Sequence, residues 1–230
     1  MFITFEGPEG SGKSTQIALL CDALQTRGLR IVRTREPGGT PIGEQVRTVL
    51  HDLRNAGMLP ETEILLYSAS RAQHVGEVVR PALARGQVVI SDRYAESTIA
   101  YQGYGRGLDL AALRQITTFA TGGLRPDLVV YLDLDVAVGL ERKRRDRTAG
   151  RGEWNRMDEQ TLAFHQRVRD GYLAMAAGEP ERWLVVDGGQ PIEAIHSIVY
   201  DRVVLLLSGD AAPDEPSRLH TQKGDTTSNG

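Results

Sequence analysis

The chain has 230 residues, 40% of them apolar and 25% charged, with a formal net charge of −3. That length suits one α/β domain with a sizeable core, and the charge supplies no global basic field for a nucleic-acid partner. Cys21 is the only cysteine, so no internal disulfide is possible and a reduced, cytoplasmic setting is expected.

No signal peptide is read at the start of the chain. No apolar run approaches the ~20 residues that a membrane helix needs, so no membrane partner is expected. The histidines at 51, 74, 165, 196 and 220 show no metal-ligand spacing with a cysteine. In chain order, the first predicted strand is "FITF" (2–5), followed by a helix from Lys13 to about Thr26. A weaker strand is "RIVRT" (30–34), and Thr40-Pro41 reads as the N-cap and first residue of a second helix. Further helices are expected near 60–85, 93–104, 109–121, 135–146, 157–177 and 191–207. The remaining strands are "VVIS" (88–91), "LVVYLDL" (128–134) and "WLVV" (183–186). Continuous apolar runs suit a parallel sheet covered on both faces. The alternation of β and α predicts a three-layer α/β fold, with five parallel strands and right-handed crossovers.

Residues 142–156 carry seven basic residues and two acids around Gly150 and Gly152, and read as a lid on a body spanning 1–207. Residues 208–230 are polar and rich in Pro, Gly and Asp, with almost nothing large to bury, and are expected to be disordered.

The most specific signal is "FEGPEGSGKST" (5–15). Gly7, Pro8, Glu9, Gly10, Ser11, Gly12, Lys13 and Ser14 match G-x-x-x-x-G-K-[ST], between a predicted strand and a predicted helix. The glycines let backbone N–H groups turn toward phosphate oxygens. Lys13 adds a point charge for the β/γ-phosphates, and Ser14 offers a hydroxyl to Mg²⁺. Asp92 ends a buried strand in "VVISDRY", the place for a metal-directed acid, although a plain turn aspartate is the alternative. The loop alone does not separate a switch or hydrolase from a kinase. An acceptor site is suggested by "TREPGGT" (34–40), by "LLYSASR" (65–71) with Tyr67 and Arg71 four apart, and by "DRYAESTIAYQGYGRG" (92–107). Singly, Tyr67 could be core, Arg71 surface, and the lid charges a solvated helix end.

Taken in order, these motifs together with PDLVVYLDLD and the arginine-bearing lid resemble the thymidylate kinase family, from Phe2 to about Leu207. The resemblance implies transfer of the γ-phosphoryl of Mg-ATP to dTMP. A P-loop switch or hydrolase, or a deoxynucleoside kinase, is the alternative. It also implies a homodimer through helices near 40–85. Lys13 and the loop amides would hold ATP phosphates, and Ser14 and Asp92 the metal. Arg93 would lie between the donor and acceptor phosphates, and Arg35 would clamp the dTMP phosphate. Tyr67 would stack on thymine and Arg71 would donate to a base carbonyl. Thr98 and Gln102 would sit at the base edge, Tyr101 against the deoxyribose, and Glu9 near the 3′-hydroxyl. The phosphate loop holds no arginine, so the resemblance is to the bacterial type, in which lid arginines supply that charge. Here they are Arg151, favoured, or Arg156.

Overall fold

A computed structural model describes residues 1–150 and 154–209. Its strands are β1 (Phe2–Glu6), β2 (Ile31–Arg35), β3 (Val88–Asp92), β4 (Leu128–Asp133) and β5 (Trp183–Asp187). They form one parallel sheet in the order β2-β3-β1-β4-β5. Each lies within a residue or two of the apolar run that predicted it.

The reason for those unbroken runs is visible in the packing. Ile3, Phe5, Val88, Ile90, Leu128 and Val130 point to one face, against Ile17, Leu20 and Leu24 of α1 (Lys13–Thr26) and Val199 and Val203 of α9 (Ile192–Ser208). Their neighbours Phe2 and Val89 point to the other face, beside Val75 and Val79. Val129 and Tyr131 also face that way, against Phe164, Val168 and Tyr172 of α8 (Leu162–Gly178). With both faces covered, alternation in polarity disappears. The edge strands β2 and β5 are only partly buried, which is why β2 gave the weaker signal.

The other helices are α2 (Pro41–His51), α3 (Pro60–His74), α4 (Arg80–Ala84), α5 (Ala95–Thr98), α6 (Leu110–Thr121) and α7 (Val136–Thr148). Thr40 caps α2 as expected, its hydroxyl accepting from Gly43 N–H at 2.9 Å. Two expected helices are less regular. The one expected over 60–85 passes through a π-helical segment, Val75–Val79, between α3 and α4. Pro81, just beyond it, has no N–H to give to an α-helical partner. The one expected over 93–104 is the single turn α5 followed by a π-helical segment, Ile99–Gly105. The helix expected from 157 begins at Leu162, because Asn155 and Asp158 tie the preceding residues into turns. Arg151 and residues 210–230 lie outside the described residues, so the expectations placed on them are left as they stand. Among the described residues no helix is long and apolar enough to cross a membrane.

Candidate active site

β1 is the central strand, and the loop from its carboxyl end opens where neighbouring strands lie on either side. Gly7 has φ 145°, and a Cβ there would meet the Leu132 carbonyl oxygen at 2.6 Å. Only glycine fits this close approach. The Lys13 ammonium lies inside the loop, donating to the carbonyls of Gly7 and Pro8 at 3.0 Å each. Burial, with the Arg93 charge nearby, pushes the Lys13 amine down to about 8. The Ser14 hydroxyl donates to Asp92 Oδ2 at 3.1 Å, so the two expected metal-directed groups are neighbours although 78 residues apart. A hydroxyl and one carboxylate suit Mg²⁺, which keeps several waters and takes phosphate oxygens for the rest of its octahedron. Among the described residues no group of three or more His, Cys, Asp or Glu is gathered as a metal site.

Arg93 follows Asp92 directly and has φ 71°, the left-handed region that non-glycine residues seldom occupy. Its carbonyl accepts from the Ser91 hydroxyl at 2.8 Å. Its guanidinium reaches Glu9 Oε1 at 2.6 Å and the Tyr101 hydroxyl at 3.1 Å. Burial alone would raise the Glu9 carboxyl, but Arg93, Lys143 and Lys13 together hold it well below the usual range. Lys143 of α7 lies 3.2 Å from Glu9 and 2.6 Å from Asp158.

The opposite wall is organised by two buried carboxylates. Glu36 accepts from Arg71 Nε at 2.8 Å and pairs with His74 Nδ1 at 2.9 Å. Burial would raise its carboxyl, yet Arg71 and His74 outweigh this and lower it. Arg71 also donates to the Thr98 hydroxyl at 2.9 Å and to the Tyr94 carbonyl at 3.0 Å. Its fork is therefore fixed in direction, with two of its five N–H groups beyond these bonds. Glu63, fully buried, accepts from Gln102 Nε2 at 2.8 Å and is paired by Arg106 at 2.8 Å and by Arg156. Arg35, at the end of β2, pairs with Glu44 at 2.8 Å and stays about half exposed.

One cleft of about 460 Å³ is lined by phosphate-loop residues from Glu9 to Ser14 and by Arg35, Tyr67, Arg71, Asp92, Arg93, Thr98, Tyr101 and Gln102. The fold thus gathers the glycine-rich loop, cations and the aromatic side chains of Tyr67 and Tyr101 in one opening. The chain matches the model of the thymidylate kinase family over residues 5–199. It is 55% identical to a thymidylate kinase of Roseiflexus sp. (strain RS-1), covering 85% of this chain and 89% of that one. It is 54% identical to one from Desulfovibrio desulfuricans, covering 85% and 91%. A crystal structure of thymidylate kinase from Ehrlichia chaffeensis superposes with a TM-score of 0.72 at 33% identity, covering 88% of this chain and 98% of that one.

The chain belongs to the thymidylate kinase family. The resemblance read from the motifs and the three-layer α/β fold are both borne out.

Arg156 does not stand where a thymidylate kinase lid arginine was expected. It is 4% exposed, and its guanidinium faces the Leu50 carbonyl, the Met58 sulfur and Glu63, away from the cleft lining. The physical reason is Glu63, a buried carboxylate that needs cationic partners. Three groups in or behind this thymidylate kinase cleft were missed in the sequence: Glu36 and Lys143 line it, and Glu63 is buried behind it. Glu36 sits beside Arg35 in TREPGGT. Glu63 lies one helical turn before Tyr67, in the same i, i+4, i+8 series that ends at Arg71. Lys143 was grouped with the lid charges, although it reaches Glu9.

Proposed function

We propose that this chain transfers the γ-phosphoryl of Mg-ATP to the phosphate of dTMP, giving dTDP and ADP. The observation that carries the reading is that the glycine-rich loop lines one cleft with Tyr67, Arg71, Thr98, Tyr101 and Gln102, and that Arg93 bonds to Glu9 of the loop and to Tyr101 across from it. An acceptor-phosphate oxygen bonds to the γ-phosphorus as the bond to the β,γ-bridging oxygen breaks, and that oxygen leaves on ADP. The acceptor is already an anion, so no general base is needed, and positioning and charge stabilisation carry the catalysis.

Residues Gly7 to Ser14 cradle the ATP phosphates, with Lys13 as the point charge. Ser14 and Asp92 would hold Mg²⁺, which when bound neutralises charge on the phosphate oxygens. Arg93 sits between the two phosphates, and Arg35 leaves Glu44 to clamp the dTMP phosphate. Tyr67 stacks on thymine, Arg71 donates to a base carbonyl, Thr98 and Gln102 meet the base edge, Tyr101 packs on the deoxyribose and Glu9 meets the 3′-hydroxyl. Arg151 supplies transition-state charge, an assignment that rests on family resemblance because it lies outside the described residues. Arg156 instead holds Glu63. A homodimer through α2 and α3 is part of the proposal. Ile42 and Val49, one heptad apart on α2, together with Leu53 and Leu65 leave apolar surface exposed.

The test is ADP formation with Mg-ATP and, separately, dTMP, thymidine and no acceptor. Turnover with dTMP alone supports the reading. Turnover with thymidine indicates a nucleoside kinase, and turnover without acceptor indicates a hydrolase.

A further inference from the structure

Glu6 is the last residue of β1 and stands immediately before the phosphate loop, yet it is fully buried and does not line the cleft. A carboxylate in that position needs a reason. Its Oε1 accepts from the Tyr94 backbone N–H at 2.8 Å. Its Oε2 accepts from the Ser97 hydroxyl at 2.6 Å and from the Tyr172 hydroxyl at 2.7 Å. One side chain on β1 thus ties the turn after β3, the single turn α5 and the middle of α8 together.

All three tethers surround Arg93. Tyr94 N–H is the next backbone donor after the left-handed Arg93. The hydroxyls of Ser97 and Tyr172 lie 3.3 Å and 3.4 Å from Arg93 Nη1. A hydroxyl has one hydrogen. If both hydroxyls give it to Glu6, their lone pairs face the guanidinium. Glu6 itself is 3.9 Å from Arg93 Nη1, too far for a direct hydrogen bond but close enough to attract its charge.

We propose that Glu6 is a positioning residue for Arg93, acting through the Tyr94 N–H and the Ser97 and Tyr172 hydroxyls to hold the guanidinium between the donor and acceptor phosphates. The inference rests on the role proposed above for Arg93. It explains why an acid with no access to substrate ends the strand that carries the phosphate loop. Glutamine in its place has no neutral arrangement. Turned one way, its NH₂ meets the Tyr94 N–H, donor against donor. Turned the other way, it donates to the two hydroxyls; one of them can then give its hydrogen to the other, 2.9 Å away, and the remaining hydrogen is left to face Arg93.

The experiment is a double-mutant cycle in the dTMP kinase assay at about pH 8.5, where the Glu6 carboxyl, pushed up to about 7 by burial, is ionised, with Glu6→Gln, Arg93→Lys and the double variant, each checked for its melting transition. Lysine keeps the charge at position 93 but loses the planar fork. Arg93→Lys is expected to lower kcat about a hundredfold, and Glu6→Gln at least tenfold with the KM for ATP within about threefold. In the Arg93→Lys background, Glu6→Gln should add less than about twofold, because residues acting as one unit are not additive. A folded Glu6→Gln with kcat within twofold of wild type overturns the proposal. So does a tenfold loss that persists in the Arg93→Lys background. If Glu6→Gln does not fold, Tyr172→Phe takes its place in the cycle, with a several-fold loss expected that vanishes beside Arg93→Lys. No loss, or a loss that persists, overturns the proposal there too. If Arg93→Lys alone leaves kcat unchanged, the role given to Arg93 fails and overturns this proposal with it, whereas a loss in Arg93→Lys with none in Glu6→Gln overturns this proposal alone.

Discussion

The wall of the cleft formed by the glycine-rich loop and the wall formed around Tyr67 and Arg71 are built differently. The first is mostly one run of residues, Gly7 to Ser14, whose carbonyls receive the Lys13 ammonium within the loop itself. The second is collected from β2, α3, the segment after β3 and the residues after α7, and is organised by Glu36 and Glu63. A local wall is announced by a contiguous motif. A collected wall depends on buried carboxylates that fix the side chains lining it. Chemistry should therefore fail first when the local wall is altered, and stability or selectivity when the collected one is.

The largest expected effect tests the local wall. Lys13→Met should lower kcat on the order of 10³-fold, as loss of a preorganised charge at a reacting centre does, with little change in melting temperature. A steady-state dTMP kinase assay beside a thermal melt checks both. Loss of fold rather than of rate would break the distinction.

Glu6, at the root of the local wall, gives a pH effect. It faces the Tyr94 N–H, Ser97, Tyr172, Arg93 and Glu96, and burial, with Glu96 adding to it and Arg93 opposing, pushes its carboxyl from 4.5 up to about 7. The folded chain then holds a proton that the unfolded chain has released between those pH values. Its stabilising contribution is full below pH 4.5 and is lost as pH rises through 7, by about 3 kcal/mol. Urea denaturation of wild type and Glu6→Gln across that range should show the wild type losing this much relative to the variant. Parallel curves would remove the effect.

The collected wall is sharpened by Arg156→Ala. Glu63 keeps Arg106 and Gln102 but loses a buried cation, so stability should fall by about 2 kcal/mol while kcat stays within about threefold. A large fall in kcat at unchanged stability would return Arg156 to the catalytic role read from the sequence.

The smallest effect is selectivity. Arg71 can only donate, so it suits a thymine carbonyl and opposes the exocyclic amine of cytosine. kcat/KM for dCMP should be lower than for dTMP by roughly tenfold from this contact. Equal values would detach Arg71 from the base.

Much of the fold was legible because buried parallel strands and capped helices write themselves as apolar runs and punctuation. The five strands and the Thr40 cap of α2 are examples. Helix continuity was less legible. The π-helical segments at Val75–Val79 and Ile99–Gly105 answer to packing and to Pro81, not to a change in apolar periodicity. In the cleft, the residues inside motifs were legible and their supports were not. Glu36 and Glu63 have ordinary side chains, and only their burial beside Arg71 and Arg156 gives them a role.

By itself, the sequence determined the class of fold, the phosphate loop and the family, because backbone geometry at glycines and apolar periodicity are local physics. The tertiary structure decided which charges meet. In the sequence Arg71 was open between a base contact and a surface cation, and Arg156 between a lid charge and a structural contact; both are buried on carboxylates from distant segments. An ion pair that has left water depends on where the whole chain brings its two ends, and no local pattern encodes that encounter.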